Sequence, residues 1–292
     1  MSTTIGRPAA MDQVAISAVP TERGYGRGIG DTLLKVYLGL FFFVLFAPIA
    51  IMVAAAFNAY PSPSITVWQG FTLKWFAAIF EDARMMTGLF NSLLIACGVI
   101  AIAIPLGLAG ALLLTRLESR ANGILYTILV APIMIPGIVL GVTTMIFWRD
   151  AFGVDAGLFT AMMAQTAFIA SYCLLMFMAR LARQDRSLDE AAADLGATPF
   201  FTFRRVTLPF LAPTIGMASV LAFLQSIENF PTTFFAIGPD YTLVTEIASR
   251  MRFGLSPMIN AIGVIFIVVT VVAALVWASG QTRAERQNRG DA

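Results

Sequence analysis

Six stretches of this chain are apolar over the thickness of a bilayer, and that repetition constrains the fold more than any other feature. They are Val36–Phe57, Leu89–Leu114, Ile124–Trp148, Ala156–Ala179, Pro209–Phe235 and Ile259–Ala278, and only the fifth holds a charged residue, Glu228. A helix rising 1.5 Å per residue needs about 20 apolar residues to cross about 30 Å of hydrocarbon. Inside lipid each backbone amide must be bonded within its own segment, and unbroken apolar runs lack the alternation of a membrane β-barrel. The expectation is therefore an all-α, polytopic membrane protein with six transmembrane helices. Composition agrees, with 58% hydrophobic and 12% charged residues against about 25% charged in soluble domains. An ordinary soluble enzyme, a disordered chain and a nucleic-acid-binding module are excluded, and a net charge of +2 is too small to imply a polyanionic partner.

Lysine and arginine set the expected orientation. With the N-terminus inside, the inner segments carry 14 basic residues, among them Arg116, Arg180, Arg183, Arg204 and Arg205, and the outer segments carry 5. That excess places both termini in the cytoplasm. Residues 1–32 then form a cytoplasmic tail with a flexible glycine tract at Gly24, Gly26, Gly28 and Gly30. The membrane domain covers 33–280, with an inner loop at 180–208, and 281–292 form a second cytoplasmic tail. No signal-peptide core precedes the first span, which is too long to be one.

Absences narrow the chemistry. The chain has no histidine, which removes the commonest general base and metal ligand. Cys97 and Cys173 lie within apolar runs and read as structural. The two lysines, Lys35 and Lys74, do not follow glycine, so no phosphate-cradling P-loop exists here.

Within the spans, Ala103, Gly107 and Ala111, and likewise Gly137 and Gly141, recur at four-residue spacing, which lets helix backbones approach closely. Prolines at 48, 105, 132, 136, 213 and 231 predict kinks or breaks. In the first outer loop, Phe71–Phe80 predicts a short interfacial helix around Leu73, Trp75, Phe76 and Ile79, an anchor or a contact for an outer soluble partner. Glu228, beside Asn229, is costly in hydrocarbon by at least about 2.5–3.5 kcal/mol, so it faces the bundle interior, water or a partner charge. Two readings stand: a substrate-path carboxylate, or a residue near the outer helix end paired with Arg250 or Arg252.

The inner loop carries the most informative pattern. Ser187 followed by Asp189 and Glu190 predicts a helix start with carboxylates at the positive dipole end. Ala191, Ala192, Ala193 and Leu195 favour helix, Gly196 stops it, and Pro199 opens a second short helix through Arg205. Glu190-Ala191-Ala192, then Gly196, then Val206-x-Leu208-Pro209 resembles the EAA signature of ATP-binding-cassette importer permeases, with valine where the signature has isoleucine. Further segments, Phe71–Asp82, Asn91–Ala96, Pro132–Val142, Ser226–Pro239 and Ser256–Ala261, resemble the spermidine/putrescine group of these permeases.

The resemblance implies a type I importer (MetI-like) bundle in a bacterial inner membrane. It implies that Glu190, Ala191, Ala192, Asp194, Gly196, Ala197, Leu208 and Pro209 belong to a coupling element that docks on a separate ATPase. The implied partners are a second permease subunit of different sequence, two ATPase subunits that bind ATP and Mg, and a periplasmic substrate-binding protein. No cofactor is expected on this chain. The implied cargo is a cationic amine, with Glu228 and Asn229 on its path, although related groups carry iron, sulfate or phosphonates. An ion-coupled secondary transporter would instead show internal repeats and more intramembrane charges, and neither is evident.

Overall fold

The computed structural model describes residues 29–62, 66–116, 120–185, 187–253 and 256–290. The tail residues 1–28, with Gly24, Gly26 and Gly28, lie outside that set, whereas Gly30 is helical. Among the described residues the secondary structure is helical, and an isolated antiparallel bridge joins Asn58 and Phe71. The chain divides into a unit ending at Ile51 and a second unit from Met52 onward. The first holds most of α1 (Ile29–Ala56), whose apolar side chains up to residue 51 are almost all exposed, as a lipid-facing helix requires.

In the second unit, α2 (Lys74–Glu81) is the expected outer-loop helix. It is more than an anchor, because Ile79 is buried and Trp75 and Phe76 pack against the same cluster, while Leu73 is exposed. The loop before it folds around buried Asn58. Its Nδ2 donates to Val67 O at 2.7 Å, and its Oδ1 accepts from Gln69 N at 3.0 Å. The indole Nε1 of Trp75 donates to Asn58 O at 2.8 Å.

Two long helices, α3 (Ala83–Arg116) and α6 (Leu158–Leu181), form the central seam. Gly107 explains its closeness: a Cβ there would stand 2.6 Å from Cys173 Cβ and 2.8 Å from Leu174 N. Ala103 and Ala111, on the same stripe, are fully buried, as the small-residue spacing predicts. Cys173 lies in this seam as a buried thiol, while Cys97 is exposed.

The third predicted span is broken. It folds as α4 (Asn122–Met134) and α5 (Gly137–Phe152), bent by 108°. Pro136 supplies no N–H and forces Ile135 out of the helical region, to ψ 129.

The fifth differs at both ends. The helix starts at Pro199 rather than Pro209 and runs unbroken to Ile227. Within it, α8 (Pro199–Thr202) passes through a π turn (Phe203–Thr207) into α9 (Leu208–Ile227). Pro209 cannot donate to the carbonyl four residues earlier, and Leu208 N instead reaches back five residues to Phe203 O. At the other end, Pro231 has no N–H for the carbonyl of Ile227, so the helix stops. A separate short helix, α10 (Phe230–Ala236), follows, capped by Asn229, whose Oδ1 accepts from Thr232 N at 3.2 Å.

After α11 (Leu243–Phe253), α12 (Pro257–Gly290) stays helical past residue 280. Its apolar described part, Pro257–Val272, is shorter than a full span. Among the described residues, four helices are long and apolar enough to cross a membrane, or five when the bent pair counts as one.

Candidate functional site

The 180–208 loop between α6 and α9 is built as two capped helices. In α7 (Ser187–Asp194), Asp189 and Glu190 occupy the first turn as predicted. The cap is Asp185 rather than Ser187: Asp185 Oδ1 accepts from Ser187 N at 2.9 Å, and that bond holds its carboxyl below the usual range. At the far end, Gly196 N bonds Ala193 O at 2.9 Å and Ala197 N bonds Ala192 O at 3.0 Å, with Gly196 at φ +79. This is the Schellman arrangement, in which the residue after the cap must be left-handed, hence glycine. It gives the spacing from Glu190-Ala191-Ala192 to Gly196 a local reason. Thr198 then caps α8 by accepting from Phe201 N at 3.3 Å, a role its place before Pro199 could have signalled.

Glu190, Ala191 and Asp194 are exposed, Ala192 and Ala197 half-buried, Leu208 half-buried and Pro209 exposed. Around them the surface is apolar: Leu195 is 89% exposed, Phe200 72% and Phe201 54%. Exposed apolar patches of this kind are typical of interaction surfaces.

A cleft of about 310 Å³ opens where the α4–α5 bend meets the α9–α10 break, so the two proline-made interruptions create it together. Gly137 and Gly141 let these breaks close on each other. A Cβ at Gly141 would stand 2.5 Å from Thr232 O, and one at Gly137 2.7 Å from Thr232 Oγ1. Glu228 and Asn229 both line the cleft, together with Gln225, Tyr172 and Phe168. Phe168 and Tyr172 meet edge to face at 6.0 Å. Those two rings sit in an uninterrupted apolar run, and nothing in the sequence singled them out.

Glu228 is exposed to the cleft and makes no ion pair among the described residues. The alternative of pairing with Arg250 or Arg252 does not occur. Arg250 is engaged elsewhere, by Asp82 at 2.6 Å and Glu246 at 2.8 Å, and Arg252 lies over the Phe234 ring at 5.5 Å. Asn229 is 7% exposed, and its Oδ1 is committed to the α10 cap. Beneath the cleft, Ser226 Oγ, Gln165 and Thr233 form a buried chain, with Ser226 donating to Gln165 Oε1 at 2.5 Å and Gln165 Nε2 donating to Thr233 Oγ1 at 2.6 Å.

Residues 103–287 match the profile of the binding-protein-dependent transport system inner membrane component. The chain belongs to that family. The permease is 34% identical over 265 residues to the putrescine transport system permease protein PotI of Escherichia coli K12, covering 88% of this chain and 93% of PotI. It is 28% identical over 267 residues to the spermidine/putrescine transport system permease protein PotC of the same organism, covering 90% and 99%. In fold it is similar to a bacterial ABC transporter involved in the import of the acidic polysaccharide alginate, with TM-score 0.62 at 19% identity over 85% of this chain and 94% of that one. A methionine ABC transporter, MetNI, matches with TM-score 0.52 at 19% identity over 70% and 95%. This permease is thus a multi-pass inner-membrane subunit of an ATP-binding-cassette importer, not an enzyme, and ATP hydrolysis resides on a separate subunit.

Proposed function

We propose that this permease forms half of the translocation path for a diamine or polyamine of the putrescine type. The observation that carries the reading is its 34% identity to PotI across nearly the whole of both chains. The unpaired Glu228 in the cleft supports it, since a lone carboxylate in a membrane path suits a cationic cargo. A second reading, a permease of the same class for iron or a phosphonate, has no comparable support among these relatives, and a phosphonate would also meet Glu228 as a like charge.

In this reading six spans cross the inner membrane, with α12 as the sixth and the bent α4–α5 pair as the third. Both termini, the tails at 1–32 and 281–292 and the 180–208 loop face the cytoplasm, as the 14 to 5 basic asymmetry supports. Glu190, Ala191, Ala192, Asp194, Gly196, Ala197, Leu208 and Pro209 form the element that docks on the ATPase, with Leu195, Phe200 and Phe201 as its apolar contact. The partners are a second, different permease, two ATPase subunits holding ATP and Mg, and a periplasmic binding protein. ATP closes the ATPase pair, the coupling elements are drawn together, and the bundles tilt toward the outward-open state. The energy enters through the partners' differential affinity for the two states.

The test is uptake of radiolabelled 1,4-diaminobutane into vesicles bearing the complete transporter. ATP-dependent accumulation is expected, and Gly196→Asp should abolish it at equal membrane levels. Accumulation of an anion but not of the diamine would overturn the cargo. Wild-type uptake by Gly196→Asp would remove the coupling role.

A further inference from the structure

The last residue of α3 reaches into the coupling loop. One guanidinium nitrogen of Arg116, Nη2, lies 3.1 Å from Asp189 Oδ2 and 2.9 Å from Thr207 Oγ1. Asp189 is in the first turn of α7, beside Glu190, and Thr207 ends the π turn that leads into α9. A single side chain therefore joins three elements: the inner end of α3, the docking helix and the base of the long helix behind it. Nothing in the EAA pattern points to residue 116, which lies 73 positions from Asp189.

We propose that Arg116 is a positioning residue for coupling, holding α7 and the α8–α9 helix in one fixed arrangement so that displacement of α7 by the ATPase moves α9 rather than being lost in the loop. The proposal rests on the coupling role assigned above to the 180–208 loop.

Three observations support it. First, α7 buries no residue, so packing does little to hold it in place. Second, the other carboxylate oxygen, Asp189 Oδ1, is buried and has no hydrogen-bond partner among the described residues, so Arg116 is the cation on which this charge leans. Third, Thr207 is fully buried, which fixes the guanidinium from the membrane side. The Arg116 and Asp189 side chains are 41% and 31% exposed, so the pair adds little to global stability. Its value lies in geometry: one nitrogen of the rigid, planar guanidinium serves both acceptors, where a lysine offers a flexible point charge.

The experiment uses the complete transporter in vesicles and measures, in the same sample, ATP hydrolysed and 1,4-diaminobutane accumulated. It adds hydrogen exchange of residues 187–194, which does not depend on the cargo. Arg116→Ala should cut uptake per ATP by about 10-fold, within the usual range of coupling between sites, and should speed exchange in α7 while α9 stays protected. Arg116→Lys, a flexible point charge without the guanidinium geometry, should recover only part of the ratio. Asp189→Ala added to Arg116→Ala should cost little more, because both break one link. Unchanged uptake per ATP and unchanged α7 exchange in Arg116→Ala overturn the proposal, as does strict additivity with Asp189→Ala. Loss of uptake in Gly196→Asp alongside a normal Arg116→Ala overturns this inference alone, whereas normal uptake in Gly196→Asp removes the coupling role on which it rests.

Discussion

Thr198 and Glu228 bound the two ends of one continuous helix: Thr198 caps its start and Glu228 is the first residue beyond its last turn. The 29 residues between them span about 44 Å at 1.5 Å per residue. The loop that carries the EAA pattern and the cleft that carries the unpaired carboxylate thus share one stiff element. No flexible joint separates the two along that helix, apart from the π turn, where a local change of register can bend it.

Glu228→Gln keeps the shape of the cleft and removes its one carboxylate. Uptake of 1,4-diaminobutane by the complete transporter should fall at least about 10-fold, while Glu228→Asp retains most of it. Initial rates over a range of diamine concentrations check this, and a wild-type rate for the glutamine variant would dismiss the counter-charge role.

Gly107→Ala adds one methyl group that would stand 2.6 Å from Cys173 Cβ, 2.8 Å from Leu174 N and 2.9 Å from Ala170 O. Two of these atoms are backbone and cannot turn aside, so the α3–α6 seam must open, at about 1–3 kcal/mol. Gly216→Ala meets nothing within 4 Å and should be neutral or stabilising by about 0.5–1 kcal/mol. Thermal unfolding midpoints in detergent should therefore move in opposite directions.

Gln165→Leu removes the middle of the Ser226–Gln165–Thr233 chain and leaves two buried hydroxyls without that partner. The expected loss is about 1–3 kcal/mol for each hydroxyl left unsatisfied. A lowered midpoint together with faster proteolysis near the α9–α10 break is the outcome to look for.

The N-terminal end of α3 is tied to α11 by ions. Arg250 binds Asp82 through both carboxylate oxygens at 2.6 and 3.0 Å and Glu246 at 2.8 Å, and Arg84 reaches Glu246 at 3.0 Å. The Arg250 bond pulls the Asp82 carboxyl below its ordinary value. Burial pushes Glu246 up, but its bonds to Arg250 and Arg84 outweigh that and leave it lowered. Carboxyls depressed by folding contribute stability that is present above the ordinary carboxylate range near pH 4 and lost as pH falls through and below it. Hydrogen exchange of α11 should stay slow from neutral pH down to that range and rise below it. Arg250→Ala should weaken this dependence without abolishing it, because Arg84 still holds Glu246, and should cost roughly 2 kcal/mol, less than the ~3–5 of a fully buried pair because Asp82 is partly exposed.

Much of this permease could be read from residue order because its strongest signals are local. A span needs only enough consecutive apolar side chains, and a capped helix needs only its own terminal residues, so α3, α6 and the 187–199 helix–Gly–Pro pattern appear in the structure near their expected bounds. The prolines at 136 and 231 announced breaks, but how sharply the chain turns depends on what it packs against. Runs that read as single spans became a 108° bend and a helix with a separate cap.

Hydrophobic length and small-residue spacing are properties of neighbouring residues, and they announce a bundle of membrane-spanning helices on their own. Which polar groups meet is another matter. Arg116 with Asp189, Arg250 with Asp82, and Glu228 with the rings of Phe168 and Tyr172 are brought near each other across long stretches of sequence by the packing of whole helices. A charge chooses its partner by distance in space, and only the folded chain sets that distance.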